Sequence, residues 1–357
     1  MTAAPIDFGY LELSARNSLF SGRIALRLMV VTVTLFALAL AMAVTSIFLG
    51  DYPLTPREVV GAFAGTADAF TSKVVLEWRV PIVVAAVVFG AVLGIGGAVF
   101  QSLTRNPLGS PDVIGFDAGS YTAVVVTMLV VGTQHYWVVA GASVGGGLLT
   151  AAAVYLMAYR RGMQGFRLII VGIGVAAVLG SVNTYLITRA DLDDALQVGF
   201  WGAGSLTRVS WQSLVPSLVI ALLLVVACAV LAPALRTLEL GDDAAATQGV
   251  SIGWARVGLL ITGVATTALV TAAAGPIGFV ALIAPQIARR VARTPGVSVL
   301  AAAAMGALLL SAAYLLSQTI SYFYRPIPVG LLTICLGGIY LIGLLIRESR
   351  AQSGAAR

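Results

Sequence analysis

Few residues of this chain have the types and spacing needed for chemistry. Its one carboxylate cluster, Asp191, Asp193 and Asp194, could ligate a metal ion, but no histidine or second acidic cluster accompanies it. A solvated loop is therefore the better interpretation. The single histidine, His135, stands beside two aromatic residues, a pattern typical of the belt at a membrane interface. Both cysteines fall inside apolar runs. The sequence thus predicts no catalytic residue and no metal site.

The chain also lacks a nucleotide-binding loop. A P-loop places a lysine directly before Ser or Thr in a glycine-rich turn, whereas the only lysine, Lys73, is followed by Val74. We therefore expect a protein that is not an enzyme and binds no cofactor of its own. Any energy must come from ATP used by a partner subunit or from an ion gradient.

A polar turn interrupts the apolar sequence between Gln101 and Pro111. The run before it carries Gly90, Gly94 and Gly97, whose missing side chains let two helices approach closely in lipid. The Arg-Asn-Pro sequence within the turn ends a helix and exposes hydrogen-bonding groups. Such backbone is stable only outside the hydrocarbon or in a cavity lined by protein.

Composition identifies the class of protein that positions this turn. Of 357 residues, 59% are hydrophobic and 10% charged, and the mean hydropathy is +0.98, whereas soluble domains carry about 25% charged residues. This composition predicts an all-α, polytopic protein embedded in the lipid bilayer. The net charge of +6 is then a matter of membrane topology, and we expect no nucleic-acid partner.

Ten apolar runs approach the length of a membrane-spanning helix, about 20 residues. Ionisable residues lie at the edges of these runs, which argues against a proton relay within the membrane. The predicted crossings are 24–48, 82–104, 118–133, 137–158, 168–188, 213–233, 257–274, 277–288, 297–317 and 328–346.

The distribution of basic residues sets the predicted orientation. With the N-terminus inside, fifteen of the 21 Lys and Arg residues fall on the cytoplasmic side and six outside, the asymmetry expected for both termini in the cytoplasm. The predicted organisation is a cytoplasmic tail (1–23), one transmembrane domain (24–347) and a second cytoplasmic tail (348–357). Within the domain, 49–81 is an external segment and 234–256 a cytoplasmic one.

Three positions are predicted to break helices. The uncharged stretch from Val257 to Ala288 is too long for one helix and is flanked by arginines that favour the cytoplasm. We therefore expect two passes, divided at Gly275 and Pro276, because proline removes a backbone donor and glycine tolerates the turn. A further interruption is predicted at Pro285.

The cytoplasmic segment contains a short helix-like run between Gly241 and Gly249. Asp242 and Asp243 at its start favour a helix N-terminus, and Ala245 lies in its middle. A helix this short is marginal alone. We hypothesise that a cytoplasmic ATPase packs on it, which a cysteine placed at Ala245 could detect by crosslinking.

Four stretches occur in an informative order: Arg79-Val-Pro with the glycine-rich run to Gln101, Arg105-Asn-Pro-Leu-Gly-Ser-Pro with Gly115 and Gly119, Leu240-Gly-Asp through Gln248-Gly-Val-Ser, and Ala274-Gly-Pro-Ile-Gly-Phe-Val-Ala-Leu-Ile-Ala-Pro-Gln-Ile-Ala-Arg. Together they resemble the FecCD-type permeases, ten-helix subunits of ABC importers for iron-siderophores, haem and vitamin B12. The resemblance covers about residues 24 to 347. It implies the type II ABC importer permease fold and a multi-pass location in the cytoplasmic (inner) membrane.

The resemblance also implies partners and site residues. The partners are two cytoplasmic ABC ATPase subunits, a second permease subunit, identical or homologous, and an extracytoplasmic substrate-binding protein. The implied sites are a cytoplasmic gate (Gln101, Asn106, Leu108, Gln164, Gly165, Phe166), an ATPase-coupling segment (Gly241, Asp242, Asp243, Ala245, Gly249) and docking residues for the binding protein (Arg79, Arg325). Where the family usually has Pro-His, this chain has Pro285-Gln286.

Two functions follow from these observations. The first is a permease subunit that imports an iron-siderophore-type chelate, driven by partner ATPases, with haem and cobalamin as other cargoes. The alternative is a secondary transporter of a small solute, driven by an ion gradient. Dependence of vesicle uptake on internal ATP separates the two.

Overall fold

The structure is a computed structural model that describes residues 12–16, 21–159 and 165–355. Apart from an antiparallel hairpin of β1 (Glu12–Arg16) and β2 (Ser21–Ala25), the regular structure in these residues is helical. This confirms the predicted helical fold class. The α-helices are α1 (Leu26–Ser46), α2 (Pro56–Ala64), α3 (Ala69–Lys73), α4 (Val80–Thr104), α5 (Phe116–Leu129), α6 (Tyr136–Ala158), α7 (Gly165–Arg189), α8 (Leu192–Gly202), α9 (Trp211–Leu240), α10 (Asp242–Thr247), α11 (Ile252–Ala274), α12 (Val280–Ala292), α13 (Val299–Phe323) and α14 (Val329–Ala355).

Each predicted crossing coincides with a helix. In the described part of the chain, seven helices are long and apolar enough to cross a membrane: α1, the continuous helix Ala69–Thr104, α6, α7, α9, α11 and α13. The apolar helix α5 and the apolar part of α14, Val329–Leu344, are shorter, as is α12. The chain is therefore a multi-pass membrane protein, and the count of ten crossings stays a prediction.

Several predicted boundaries differ from the structure. The external segment 49–81 is not separate from the next helix, because α3 continues through a π-helical turn, Val74–Arg79, into α4. Helix α9 runs to Leu240 despite Pro233, so the segment 234–256 begins inside a helix. Pro285 lies within α12 without interrupting it, and the third predicted break is therefore wrong.

The predicted break between the two passes at Gly275 and Pro276 is present. Gly275 ends α11 with φ of +77°, a conformation that favours glycine. Phe279 precedes α12 with φ of +67°, which is rare for a residue with a large side chain. The chain therefore leaves the helical conformation between α11 and α12.

Helices α4 and α11 form the centre of the bundle. In the most apolar 18-residue stretch of each, 78% of the residues are buried. Glycines allow α4 to lie directly against α13: a Cβ atom at Gly94 would overlap the carbonyl oxygen of Ala302, and one at Gly306 would overlap that of Gly90. Helices α1, α7 and α9 leave most of their apolar residues unburied: only 17% of the residues in the most apolar 18-residue stretch of each are buried. Such exposed apolar faces suit lipid or another subunit.

Candidate functional site

The polar turn after α4, residues 105–115, is the candidate site. Arg105 ends α4 in the left-handed conformation, with φ of +50°. The Asn106 side-chain Oδ1 accepts a hydrogen bond from the backbone N–H of Leu108 at 2.9 Å, and its carbonyl accepts one from Gly109 at 2.9 Å. Asn106 therefore shapes the turn with both its side chain and its backbone.

Three hydrogen bonds join this turn and the end of α4 to α12. Gln101 Nε2 donates to the carbonyl of Leu282 at 2.8 Å. Gln286 Nε2 donates to the carbonyl of Pro107 at 2.8 Å. The backbone N–H of Phe279 donates to Asp112 Oδ2 at 2.7 Å. The bonds involving Gln286 and Asp112 hold the turn against α12 at both of its ends.

Helix α7 contacts the turn through glycines. A Cβ atom at Gly165 would overlap the backbone of Thr104, and one at Gly172 would overlap the carbonyl of Ile114. Phe166 is 73% exposed. Of the predicted gate residues on this side, Gly165 thus meets the end of α4, whereas Phe166 projects outward and Gln164 lies outside the described residues.

A cleft of about 590 Å³ opens beside the turn. Gln101 and Asn106 of the predicted gate line it, together with groups from α9 and α12. The polar and charged lining comprises Gln101, Ser102, Arg105, Asn106, Glu239, Gln286, Arg289 and Arg290. The wall is therefore rich in amide and guanidinium donors, with one carboxylate among them.

The predicted coupling segment, Gly241–Gly249, forms the short helix α10 between two glycines of positive φ, +128° and +78°. Ala245 in its middle is completely buried. A crosslink from a cysteine at Ala245 is therefore not expected, because the side chain packs inward. The neighbouring residues Ala246 and Thr247 are exposed.

Asp242, which opens α10, also turns toward its own chain. Its Oδ1 accepts hydrogen bonds from Arg105 Nη2 and Arg256 Nη2, each at 2.6 Å. Burial raises the pKa of the Asp242 carboxyl, but the hydrogen bonds and charges of Arg256 and Arg105 outweigh burial and hold that pKa below its usual range. The carboxyl is therefore ionised at neutral pH. Asp243, the next residue, is exposed.

The two predicted docking arginines differ in their surroundings. Arg79 is half-buried, and its guanidinium donates to the carbonyl oxygens of Ile47, at 2.6 Å, and Tyr52. These bonds fix the end of α1 and the loop after it. Arg325 is exposed in the loop between α13 and α14. Of the two, Arg325 is the one whose side chain is open to a partner.

Sequence reasoning missed several polar side chains that the fold brings together. Asp117 lies in the first turn of α5, and its Oδ1 accepts a hydrogen bond from Thr271 Oγ1 of α11 at 2.6 Å. Asp117 directly precedes the predicted run 118–133, and the fold brings its carboxyl against α11. Sequence reasoning also missed Arg256, which donates to Asp242, and Glu239, which accepts a hydrogen bond from Ser102 near the end of α4. Only their positions flanking α10 could have indicated them.

Comparisons with known proteins show which family the chain resembles. Residues 37–347 match the model of the FecCD transport family. The chain is 44% identical over 326 residues to the ferric enterobactin transport system permease protein FepG of Escherichia coli strain K12, covering 91% of this chain and 98% of the relative. It is 32% identical to the probable siderophore transport system permease protein YfhA of Bacillus subtilis strain 168, covering 89% and 94%.

Among solved structures, a metal-chelate type ABC transporter in an inward-facing conformation shares the fold. Its TM-score is 0.74 at 24% sequence identity, with 90% of this chain and 99% of that chain covered. Because the family model spans most of the sequence and a relative matches along nearly its whole length, the chain belongs to the FecCD transport family.

Proposed function

We propose that this chain is a permease subunit of an ATP-binding cassette importer that carries a ferric siderophore across the cytoplasmic membrane. The observation that carries the proposal is the sequence identity of 44% to a permease named for ferric enterobactin transport, with 98% of that relative covered. The α4–α5 turn contributes the cytoplasmic gate, through Gln101, Asn106 and Leu108. Gate groups of amide or aliphatic character suit a bulky solute, since they place no fixed charge in its path.

The same proposal assigns the partners. A second permease subunit, identical or homologous, completes the path, two ATPase subunits meet the 241–249 segment, and a binding protein delivers the chelate at the opposite face. The chain performs no chemistry on its cargo, and the ATP is bound by the ATPases. Support comes from the family itself and from the sequence, which has no lysine in a P-loop context.

The test is uptake by the complete complex in proteoliposomes. Radioactive ferric enterobactin is added outside the vesicles, bound to its binding protein. It should accumulate inside when the vesicles contain ATP, on the side of the ATPase subunits. It should not accumulate when they contain ADP. Ionophores that dissipate proton and sodium gradients should leave this uptake intact. Uptake that persists without nucleotide and stops with an ionophore would establish the gradient-driven alternative instead.

The cargo is tested in the same vesicles. Haem and cobalamin, presented with binding proteins of their own type, should not compete with ferric enterobactin. Competition by haem at equal concentration would overturn the siderophore assignment while leaving the importer assignment in place.

A further inference from the structure

One carboxylate oxygen joins three elements of this protein. Asp242 Oδ1 accepts from Arg105 Nη2 and from Arg256 Nη2, each at 2.6 Å. Arg105 ends α4, Asp242 is the first residue of α10, and Arg256 lies in the first turns of α11. We call Arg105, Asp242 and Arg256 the ion triad.

A second set of bonds strengthens the connection between α4 and the α9–α10 corner. Arg105 Nε donates to the carbonyl of Leu238 at 3.0 Å. Nearby on α4, the hydroxyl of Ser102 donates to the carboxylate of Glu239. The end of α4 is therefore attached to residues on both sides of Gly241, where α9 gives way to α10.

Arg105, which makes these bonds, is also the first residue of the turn. Asn106, whose side chain and carbonyl shape the turn, follows Arg105 directly. On its other side, the turn is bonded to α12 through Gln286 and Asp112. A displacement of α10 would therefore be transmitted to the turn through Arg105. The turn lies between Arg105 and α12.

We infer that the ion triad is the link by which movement of α10 sets the position of the α4–α5 turn. Its three members are positioning residues, because they act on the gate through Asn106. This inference rests on the proposed function, in which α10 meets the ATPase. It assigns Asp242 a role inside the permease, while exposed residues of α10 such as Ala246 and Thr247 are left to face the partner.

Burial makes Arg256 the fixed member of the triad. Its side chain is 14% exposed, against 45% for Arg105 and 44% for Asp242, and its Nε is buried without a hydrogen-bond partner in the described residues. A buried guanidinium that loses its carboxylate is costly. Asp242 therefore stays with Arg256, whereas the more solvated pair with Arg105 is the contact that can be made and released.

The carboxyl of Asp242 is ionised throughout the neutral range. Because the pKa of Asp242 is lowered in the folded chain, the ion pairs are complete above the usual pKa of an aspartate, about 3.9. They are lost only as the pH falls through the lowered value. Proton uptake is therefore not what releases Arg105 at neutral pH.

The experiment measures chelate transported per ATP hydrolysed in proteoliposomes that hold the complete complex. The variants are Asp242→Asn, Arg105→Gln and the double variant, with Asp193→Asn as the control. Asp193 is an exposed aspartate at the start of α8, remote in sequence from the triad. An exposed pair is worth up to about 1 kcal/mol, which corresponds to about a fivefold change.

Arg105→Gln should lower the transport-to-ATP ratio by about threefold to fivefold while the complex continues to hydrolyse ATP. Asp242→Asn should lower the ratio by at least as much, because it also weakens the pair with the largely buried Arg256. The double variant should be no worse than the more affected single variant, because both remove the same contact. Asp193→Asn should keep the unaltered ratio. Single variants that keep this ratio, or a double variant whose loss is the product of the two, would overturn the inference.

A second measurement covers variants that assemble poorly. A cysteine at Leu108, in the turn, is labelled with a maleimide in the presence and absence of ATP. Nucleotide should change the labelling rate in the otherwise unaltered complex and should no longer do so with Asp242→Asn. An equal effect of nucleotide in both would refute the link. If the unaltered complex shows no ATP-dependent uptake at all, the proposed function fails, and this outcome is distinct from a failure of the triad alone.

Discussion

Glycine at position 94 keeps α4 and α13 in direct backbone contact. A Cβ atom there would overlap the carbonyl oxygen of Ala302, and backbone cannot move aside as a flexible side chain can. Overpacking a close contact costs about 1–3 kcal/mol. We therefore expect Gly94→Ala to lower the midpoint of thermal denaturation of the detergent-solubilised complex by several degrees.

The matched control is Gly141→Ala on α6. Gly141 is exposed, and a Cβ atom there would have open space. Because alanine favours a helix over glycine by about 1 kcal/mol, this change should leave the midpoint unchanged or raise it. Equal losses at both positions would show that the α4–α13 contact is not what selects glycine.

Asp117 tests whether a buried carboxyl takes part in transport. Its Oδ1 accepts a hydrogen bond from the Thr271 hydroxyl, a bond that the amide oxygen of asparagine can also accept. If the carboxyl serves only to join α5 to α11, Asp117→Asn should retain ATP-driven uptake to within about fivefold, since a neutral hydrogen bond is worth only about 1 kcal/mol. Complete loss of uptake with normal assembly would indicate that the ionisable group itself is required.

The short helix α10 presents one face to its own chain and another to solvent. Ala245 is completely buried, whereas Ala246 is exposed. A cysteine at Ala246 should form a crosslink to the ATPase subunit in the assembled complex, and the same substitution at Ala245 should not. Both are alanine-to-cysteine changes one residue apart, so the comparison isolates the direction of the side chain. A crosslink from Ala245 alone would mean that α10 docks with its other face.

The helices could be predicted from the sequence because apolar runs of sufficient length fold into helices in a membrane. The break at Gly275 could be predicted too, since it depends on local backbone preferences. The prediction at Pro285 was wrong because this proline, the sixth of the thirteen residues of α12, lies inside a helix that continues through it despite the missing donor. Proline alone does not end a helix that tertiary packing holds on both sides.

The candidate site was predictable only in part. The residue types around Asn106 predicted a turn, but the residues that bond to this turn come from distant parts of the chain. Asp242 bonds to Arg105 across 137 residues, and Gln286 to Pro107 across 179. No local pattern encodes such pairings. For this reason Asp242 was expected to face a partner subunit, whereas the fold turns it toward two arginines of its own chain.

The orientation of the whole molecule depends on whether α5 crosses the membrane. Between Ala64, at the end of α2, and Ala246, on α10, lie four helices long enough to cross, namely the Ala69–Thr104 helix, α6, α7 and α9, together with the shorter α5. Four crossings would put both alanines on the same side, and five would put them on opposite sides. Fifteen of 21 basic residues fall on one side when α5 is counted, so we expect five crossings.

Cysteines placed singly at these two exposed alanines decide the matter in intact cells. A membrane-impermeant maleimide added outside should label the cysteine at Ala64 and leave the one at Ala246 unlabelled until the membrane is permeabilised. The substitution is the same at both sites, so differences in reactivity reflect access. Labelling of both from outside would mean that α5 dips into the protein and returns, which would place the 241–249 segment on the outer face. An ATPase in the cytoplasm could not then reach α10, and the importer mechanism proposed for this chain would fail with it.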